Sequence, residues 1–186
     1  MKTLIMDSTA DILILGGENE GTTEFFCGDP GARRHTGAIL VAIDTILNKL
    51  NMTPKDLEYI CVVTGPGSFT GIRIGVATAN AMAYATGAKI VSVTSLEPLL
   101  YGQKEGLALL DCGHNNYYAL ARDKKGDRYL AIKGEEKESF GLPVFYHDGT
   151  YVRKLMDTVK DKINRCEAEN FAKPFYIKKS SAEAMF

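Results

Sequence analysis

Apolar and polar residues alternate in short blocks over the start of the chain. Lys2–Met6 is an apolar run that stops at Asp7-Ser8-Thr9, which predicts a strand followed by a turn. Ile12–Leu15 is a second run, stopped by Gly16-Gly17, and Thr22–Phe26 is a third, rich in β-branched and aromatic residues. The links between them are too short for helices, so an antiparallel meander is expected. From His35 the period lengthens. Ile39, Ile43, Ile46, Leu47 and Leu50 recur at three- and four-residue steps as far as Asn51, the spacing of a helix with one buried face. Thr53-Pro54-Lys55-Asp56 reads as a cap, a proline at the first helical position and an acid in the first turn. Tyr59–Val63 and Lys89–Val93 have the short apolar form of strands buried on both faces of a parallel sheet. Between them lie a glycine-rich loop, Gly65–Gly71, and a long helical segment to Thr86 with Gly87 as its C-cap. Ser95 is placed to cap a further helix through Leu100 and Tyr101, with Pro98 in its first turn.

The pattern then restarts. Leu107-Ala108-Leu109-Leu110-Asp111 repeats the shape of Thr3-Leu4-Ile5-Met6-Asp7. Tyr117–Ala121 and Arg128–Ile132 supply two further strands around the hairpin loop Asp123–Asp127. A strand–Asp–turn–strand–turn–strand unit thus occurs twice, about 105 residues apart, a spacing that means a duplicated lobe and not a solenoid. Two lobes are expected, residues 1–100 and 101–186. In the second, Val144–Tyr146 reads as a strand, His147-Asp148-Gly149 as a turn, and Val152, Leu155, Met156, Val159 and Ile163 as one amphipathic helix. Lys173–Ile177 reads as extended, and Lys178–Phe186 as a final helix or a frayed tail.

Composition narrows the function. Across 186 residues, 22 Lys and Arg against 23 Asp and Glu leave a formal charge of −1, which argues against unaided nucleic-acid binding. The longest apolar runs fall far short of the roughly 18 residues of a membrane helix. The start of the chain reads as mature sequence without a signal peptide, so no membrane partner and a cytoplasmic location are expected. Cys27, Cys61, Cys112 and Cys166 are scattered and form no CxxC pair. His35, His114 and His147 show no i, i+4 spacing, and no bound metal is expected.

The loop Gly65-Pro66-Gly67-Ser68-Phe69-Thr70-Gly71 departs from both a dinucleotide fingerprint and a Walker loop. It reads either as an anion site at a helix N-terminus, with Arg73 one turn on, or as a tight turn that lets two backbones approach. Gly71, Gly75, Ala79 and Ala83 form an i, i+4 stripe of small residues, which admits either the adjacent sheet or a helix of another chain. Asp7 and Asp111 read either as a pair holding Mg²⁺ and phosphates across a cleft or as Asx-turn residues.

Gly65–Gly75, continuing to Val93-Thr94-Ser95-Leu96-Glu97, resembles the TsaB (YeaZ-type) family of bacterial tRNA threonylcarbamoyladenosine biosynthesis. Leu4–Thr9, Arg34-His35-Thr36 and Tyr176-Ile177-Lys178 match its opening strand, first helix and closing segment, and the resemblance covers residues 1–132 best. It implies an α/β, actin/hexokinase-like (ASKHA) duplicated fold of ribonuclease H-like lobes, the second reduced. It also implies a noncatalytic scaffold subunit that supports a TsaD-like transferase, together with a TsaE-like ATPase, in modifying adenosine 37 of tRNA. The transferase carries an HxEGH-type metal pair, and the matching stretch here, Ser95-Leu96-Glu97-Pro98-Leu99, has Ser95 and Leu99 in place of the histidines. Hydroxyl and alkyl groups do not hold that metal. No catalytic residue, no metal and no cofactor of the chain alone are then expected, with a nucleotide at a subunit boundary left open and Asp7 and Asp111 as vestiges of a phosphate site. tRNA would be met only through the complex, and the isolated chain would be a homodimer. The interface is expected at His35, Ile39, Ile43, Ile46 and Leu47 of the first helix and at Gly71, Gly75, Ala79 and Ala83 of the second. The alternative is an active ATPase, small-molecule kinase or glycoprotease-like peptidase of the same fold.

Overall fold

A computed structural model of the chain describes residues 1–28 and 35–177, the side chains of residues 35–38 excepted. The pair Arg33-Arg34, the side chain of His35 and the segment Lys178–Phe186 lie outside the described residues.

The first lobe is a five-stranded sheet in the order β3-β2-β1-β4-β5. Its strands are β1 (Lys2–Asp7), β2 (Ile14–Asn19), β3 (Thr22–Cys27), β4 (Tyr59–Val63) and β5 (Lys89–Val93). The first three form the expected antiparallel meander, and β4 and β5 add in parallel beside β1. The uninterrupted apolar runs reflect burial on both faces. Leu4, Met6, Ile60, Val62 and Ile90 point to one side, where helices α1 (His35–Lys49) and α2 (Phe69–Thr86) cover them. Ile5, Cys61, Val63, Val91 and Val93 point to the other.

That second face meets the second lobe. Strands β6 (Gly106–Asp111), β7 (Asn116–Asp123), β8 (Gly126–Lys133) and β9 (Val144–Tyr146) form a sheet in the order β8-β7-β6-β9. A meander with one parallel strand beside its first member repeats the first lobe without its fifth strand. The molecule is the duplicated, actin/hexokinase-like α/β fold with a reduced second lobe. Helix α3 (Tyr151–Asn164) packs against β5 and a short 3₁₀ turn, Glu97–Leu100. After α3 the chain returns to the first lobe. Glu169 bridges to Ile90 on the free edge of β5, the Asn80 side chain bonds both backbone groups of Ala172, and the Phe175 amide donates to the Thr64 carbonyl at 2.8 Å. The segment Lys173–Ile177 is therefore a strap, and its approach covers an edge that would otherwise be open for pairing.

Three local expectations change. Strand β2 runs straight through Gly16-Gly17 instead of stopping there. At Gly17 a Cβ would lie 2.5 Å from Leu50 Cδ1 and 2.8 Å from Ile46 Cγ2, so the glycine is what lets α1 settle on the sheet. Ser95 does not cap a helix: a single 3₁₀ turn begins at Glu97, and the Ser95 hydroxyl donates to the Pro66 carbonyl instead. A further 3₁₀ segment, Gly134–Phe140, follows β8 where no element is expected. Its Phe140, with Leu142, covers the small outer cluster of the second sheet, Leu107, Leu109, Ala119, Ala121 and Ile132.

Candidate functional site

The two pseudo-equivalent strands β1 and β6 both end in an aspartate that opens a turn. Asp7 Oδ1 accepts the Thr9 amide at 2.9 Å and the Thr9 hydroxyl at 2.7 Å, and Asp111 Oδ1 accepts the Gly113 amide at 2.7 Å. Both are Asx turns, which a short carboxylate two residues before the amide makes readily. Their surroundings differ. Asp111 is exposed, whereas Asp7 is only 3% exposed and its Oδ2 accepts the hydroxyl of Tyr151 at 2.8 Å. Tyr151 begins α3 in the second lobe and is itself fully covered. The sequence offers no local signal for this bond, because its partners are 144 residues apart. Burial, then the charge of Asp7 and its hydrogen bond, hold the Tyr151 phenol well above its ordinary pKa. Burial likewise raises the Cys61 thiol, on β4 in the same cluster, so that cysteine is an inert apolar filler.

The glycine-rich loop packs on the Asp7 turn. The Ser68 amide donates to the Thr9 carbonyl at 2.7 Å, and the Ser8 hydroxyl donates to the Gly71 carbonyl at 2.8 Å. A Cβ at Gly71 would lie 1.8 Å from the Ser8 carbonyl oxygen, at Gly67 2.3 Å from that of Thr9, and at Gly75 2.5 Å from Ser8 Oγ. Ser68 caps α2 by accepting the Gly71 amide. Two of the amides that an anion would need are thus engaged inside the protein, and the close-approach reading describes this loop. Phe69 stacks on Tyr176 of the strap at 5.1 Å between centroids, and the Arg73 guanidinium lies 3.9 Å above Phe69. Gly65 and Pro66 offer their carbonyls to the Ser95 amide and hydroxyl, while Thr70 at the first turn of α2 is exposed.

The expected interface residues take a different place. Ile39, Ile43, Ile46 and Leu47 are each at most 2% exposed, Ala79 is fully buried and Ala83 is 5% exposed. They form the first lobe's core together with β1, β2 and β4, and Gly71 and Gly75 face Ser8. Their burial leaves nothing for another chain to touch, so this part of the expected interface is corrected to an intramolecular one. Among the described residues, the large apolar side chains that the same helices leave exposed are Leu40, Val41 and Tyr84, at 58, 67 and 95% exposure.

Between the lobes lies a cleft of about 590 Å³, within the usual range of small-ligand sites. Asp7, Asp111, Ser68, Ser95 and Leu99 all line it. The structure therefore gathers the two aspartates with Ser95 and Leu99. Glu97, between those positions, accepts the Thr94 amide and pairs with Lys162 of α3 at 2.8 Å, so it is tied into the lobe junction.

A family model described as TsaD, tRNA N6-adenosine threonylcarbamoyltransferase, matches residues 30–141, more than half of the chain. Among curated relatives, the tRNA threonylcarbamoyladenosine biosynthesis protein TsaB of Bacillus subtilis is 42% identical over 67 residues, 36% of this chain and 29% of that protein. The protein of the same name from Escherichia coli is 28% identical over 156 residues, 80% of this chain and 65% of that protein. The chain thus matches less than two thirds of either relative's length. Among solved structures, YeaZ from Pseudomonas aeruginosa superposes with a TM-score of 0.72 at 16% identity, over 94% of this chain and 99% of that one, a likeness of fold.

The Tyr151 bond is open to test. Tyr151→Phe leaves Asp7 buried with one partner fewer, and a hydrogen bond to a charged group contributes about 1.5–3 kcal/mol. Urea unfolding of the variant is expected to show a loss of that size. Because the folded phenol has a raised pKa, its stabilisation is complete below the unfolded value of 10.0 and is lost as pH rises toward the folded value. The variant's stability is therefore expected to fall less steeply above that pH than the parent's.

With its sequence motif, its duplicated lobes and the family model all in agreement, the chain belongs to the tRNA N6-adenosine threonylcarbamoyltransferase family, as a member of the TsaB/YeaZ type.

Proposed function

We propose that this chain is a noncatalytic subunit of a complex that makes N6-threonylcarbamoyladenosine at position 37 of tRNA. It would support a TsaD-like transferase, with a TsaE-like ATPase joining, in the cytoplasm where tRNA is modified. One observation carries the reading. The cleft in which the fold would do its chemistry holds Ser95 and Leu99 where the transferase motif has metal-binding histidines, and its buried carboxylate, Asp7, already has three hydrogen bonds. A carboxylate so engaged is poorly disposed to hold a metal ion as well. The competing reading, an ATPase, kinase or peptidase of the same fold, has no such observation in its favour.

The partner would dock on the α1–α2 layer through Leu40, Val41 and Tyr84. These are the large apolar side chains that α1 and α2 leave exposed among the described residues, and exposed apolar area is what a partner would cover. The same layer would serve a second copy of the chain when the transferase is absent. Among the described residues no helix is long and apolar enough to cross a membrane.

Three outcomes are expected. In a reconstituted modification assay, omission of this chain alone abolishes threonylcarbamoyl transfer to tRNA, and the chain by itself neither modifies tRNA nor hydrolyses ATP. Turnover by the isolated chain would make it an enzyme. Val41→Asp with Tyr84→Asp is expected to weaken association with the transferase at least about tenfold while changing stability by less than about 0.5 kcal/mol, as surface substitutions do. Ala79→Leu is expected to do the reverse, losing about 1–3 kcal/mol of stability through overpacking. Sedimentation and thermal melting separate the two.

A further inference from the structure

The cleft between the lobes has a chemical character that the scaffold role does not use. Its walls are apolar: Ile12, Ile14, Leu99 and Leu110 line it. One end carries an aromatic shelf, where the rings of His147 and Tyr151 lie 4.2 Å apart at 31° and Tyr118 stands nearby. Three carboxylates, Asp7, Asp11 and Asp111, border it, and no lysine or arginine does among the described residues. Carboxylates set around a low-dielectric cleft focus a negative potential into it. A polyphosphate would meet that potential without a cationic side chain to offset it, at a loop whose Ser68 and Gly71 amides are already bonded.

We propose that this cleft is a binding site for a small organic cation, an ammonium group carried on a flat, ring-bearing apolar body. The ring lies between the aliphatic wall and the His147–Tyr151 shelf. The ammonium lies toward Asp11 and Asp111, the two exposed carboxylates, while Asp7 contributes its charge from beneath and keeps its existing bonds. The volume of about 590 Å³ accommodates a ligand of this size. The site is independent of the proposed docking face, since Leu40, Val41 and Tyr84 are absent from its lining.

Tyramine is the probe. Its isosteric anion, 3-(4-hydroxyphenyl)propionate, controls for the ring, and ATP with and without Mg²⁺ controls for phosphate. Titration into methyl-labelled full-length chain, at mildly alkaline pH, should shift the methyl resonances of Ile12, Ile14 and Leu110 with tyramine. It should leave them in place with the anion and with either form of ATP. Asp11→Asn with Asp111→Asn should weaken tyramine about tenfold, the sum of two exposed charge contacts. Both positions are exposed, so the fold should survive. Ala10→Trp, at another exposed position of the cleft wall, should abolish the shifts by filling it. Three outcomes overturn the proposal: equal binding of the anion, ATP-dependent shifts at the same methyls, or no tyramine response at millimolar concentration. None of them bears on the tRNA modification assay, so this proposal and the scaffold reading fail separately.

Discussion

The hydroxyl of Tyr151 on the carboxylate of Asp7 holds the two halves of this molecule in one arrangement. It joins the end of β1 to the start of α3, and both side chains are buried at the wall of the cleft. An isolated buried carboxylate is costly, and Asp7 is tolerable there because three donors satisfy it, one of them from the other lobe. Other contacts then follow α3 into place. Lys160 pairs with Glu18 at 2.7 Å, and Lys162 reaches both Glu97 and the Ser92 carbonyl. Asp7 is thereby bonded into the framework that joins the lobes.

The glycine-rich loop belongs to that framework as well. Gly67, Gly71 and Gly75 bring α2 against the Asp7 turn closely enough that backbone touches backbone, and the C-terminal strap closes over the loop through Phe175 and Tyr176. The GPGSFTG motif thus joins strand, helix and strap at one point beside the cleft. Its signature character arises from packing, and what it positions is the cleft floor and the α1–α2 layer above.

Much of the architecture was legible in the chain. The repeated strand–Asp–turn unit announced two lobes, and the apolar runs at Tyr59–Val63 and Lys89–Val93 announced strands covered on both faces. The continuation of β2 through Gly16-Gly17 was not legible, because two glycines normally interrupt a strand; Gly17 makes room for Leu50 and Ile46 on one face, and Gly16 lies under the Phe25 ring on β3. The stripe of α1 marked a buried face correctly, but periodicity alone does not say what buries it. The sheet does, and the exposed Leu40 and Val41 sit off the stripe. Tyr151 was invisible for a related reason: nothing local distinguishes it from any aromatic at a helix start. Of the candidate site, the two aspartates, Ser95 and Leu99 were named in advance, and Tyr151, which bonds Asp7, was not.

A double-mutant cycle over Asp7→Ala and Tyr151→Phe measures the central contact directly. Urea unfolding of the parent, the two single variants and the double variant gives the coupling free energy. If the lobes are joined through this bond, the coupling should be at least about 1 kcal/mol, as for residues in one hydrogen-bonded network. Additive losses, with coupling near zero, would contradict the account and leave the lobes held by apolar packing and the lysine contacts of α3.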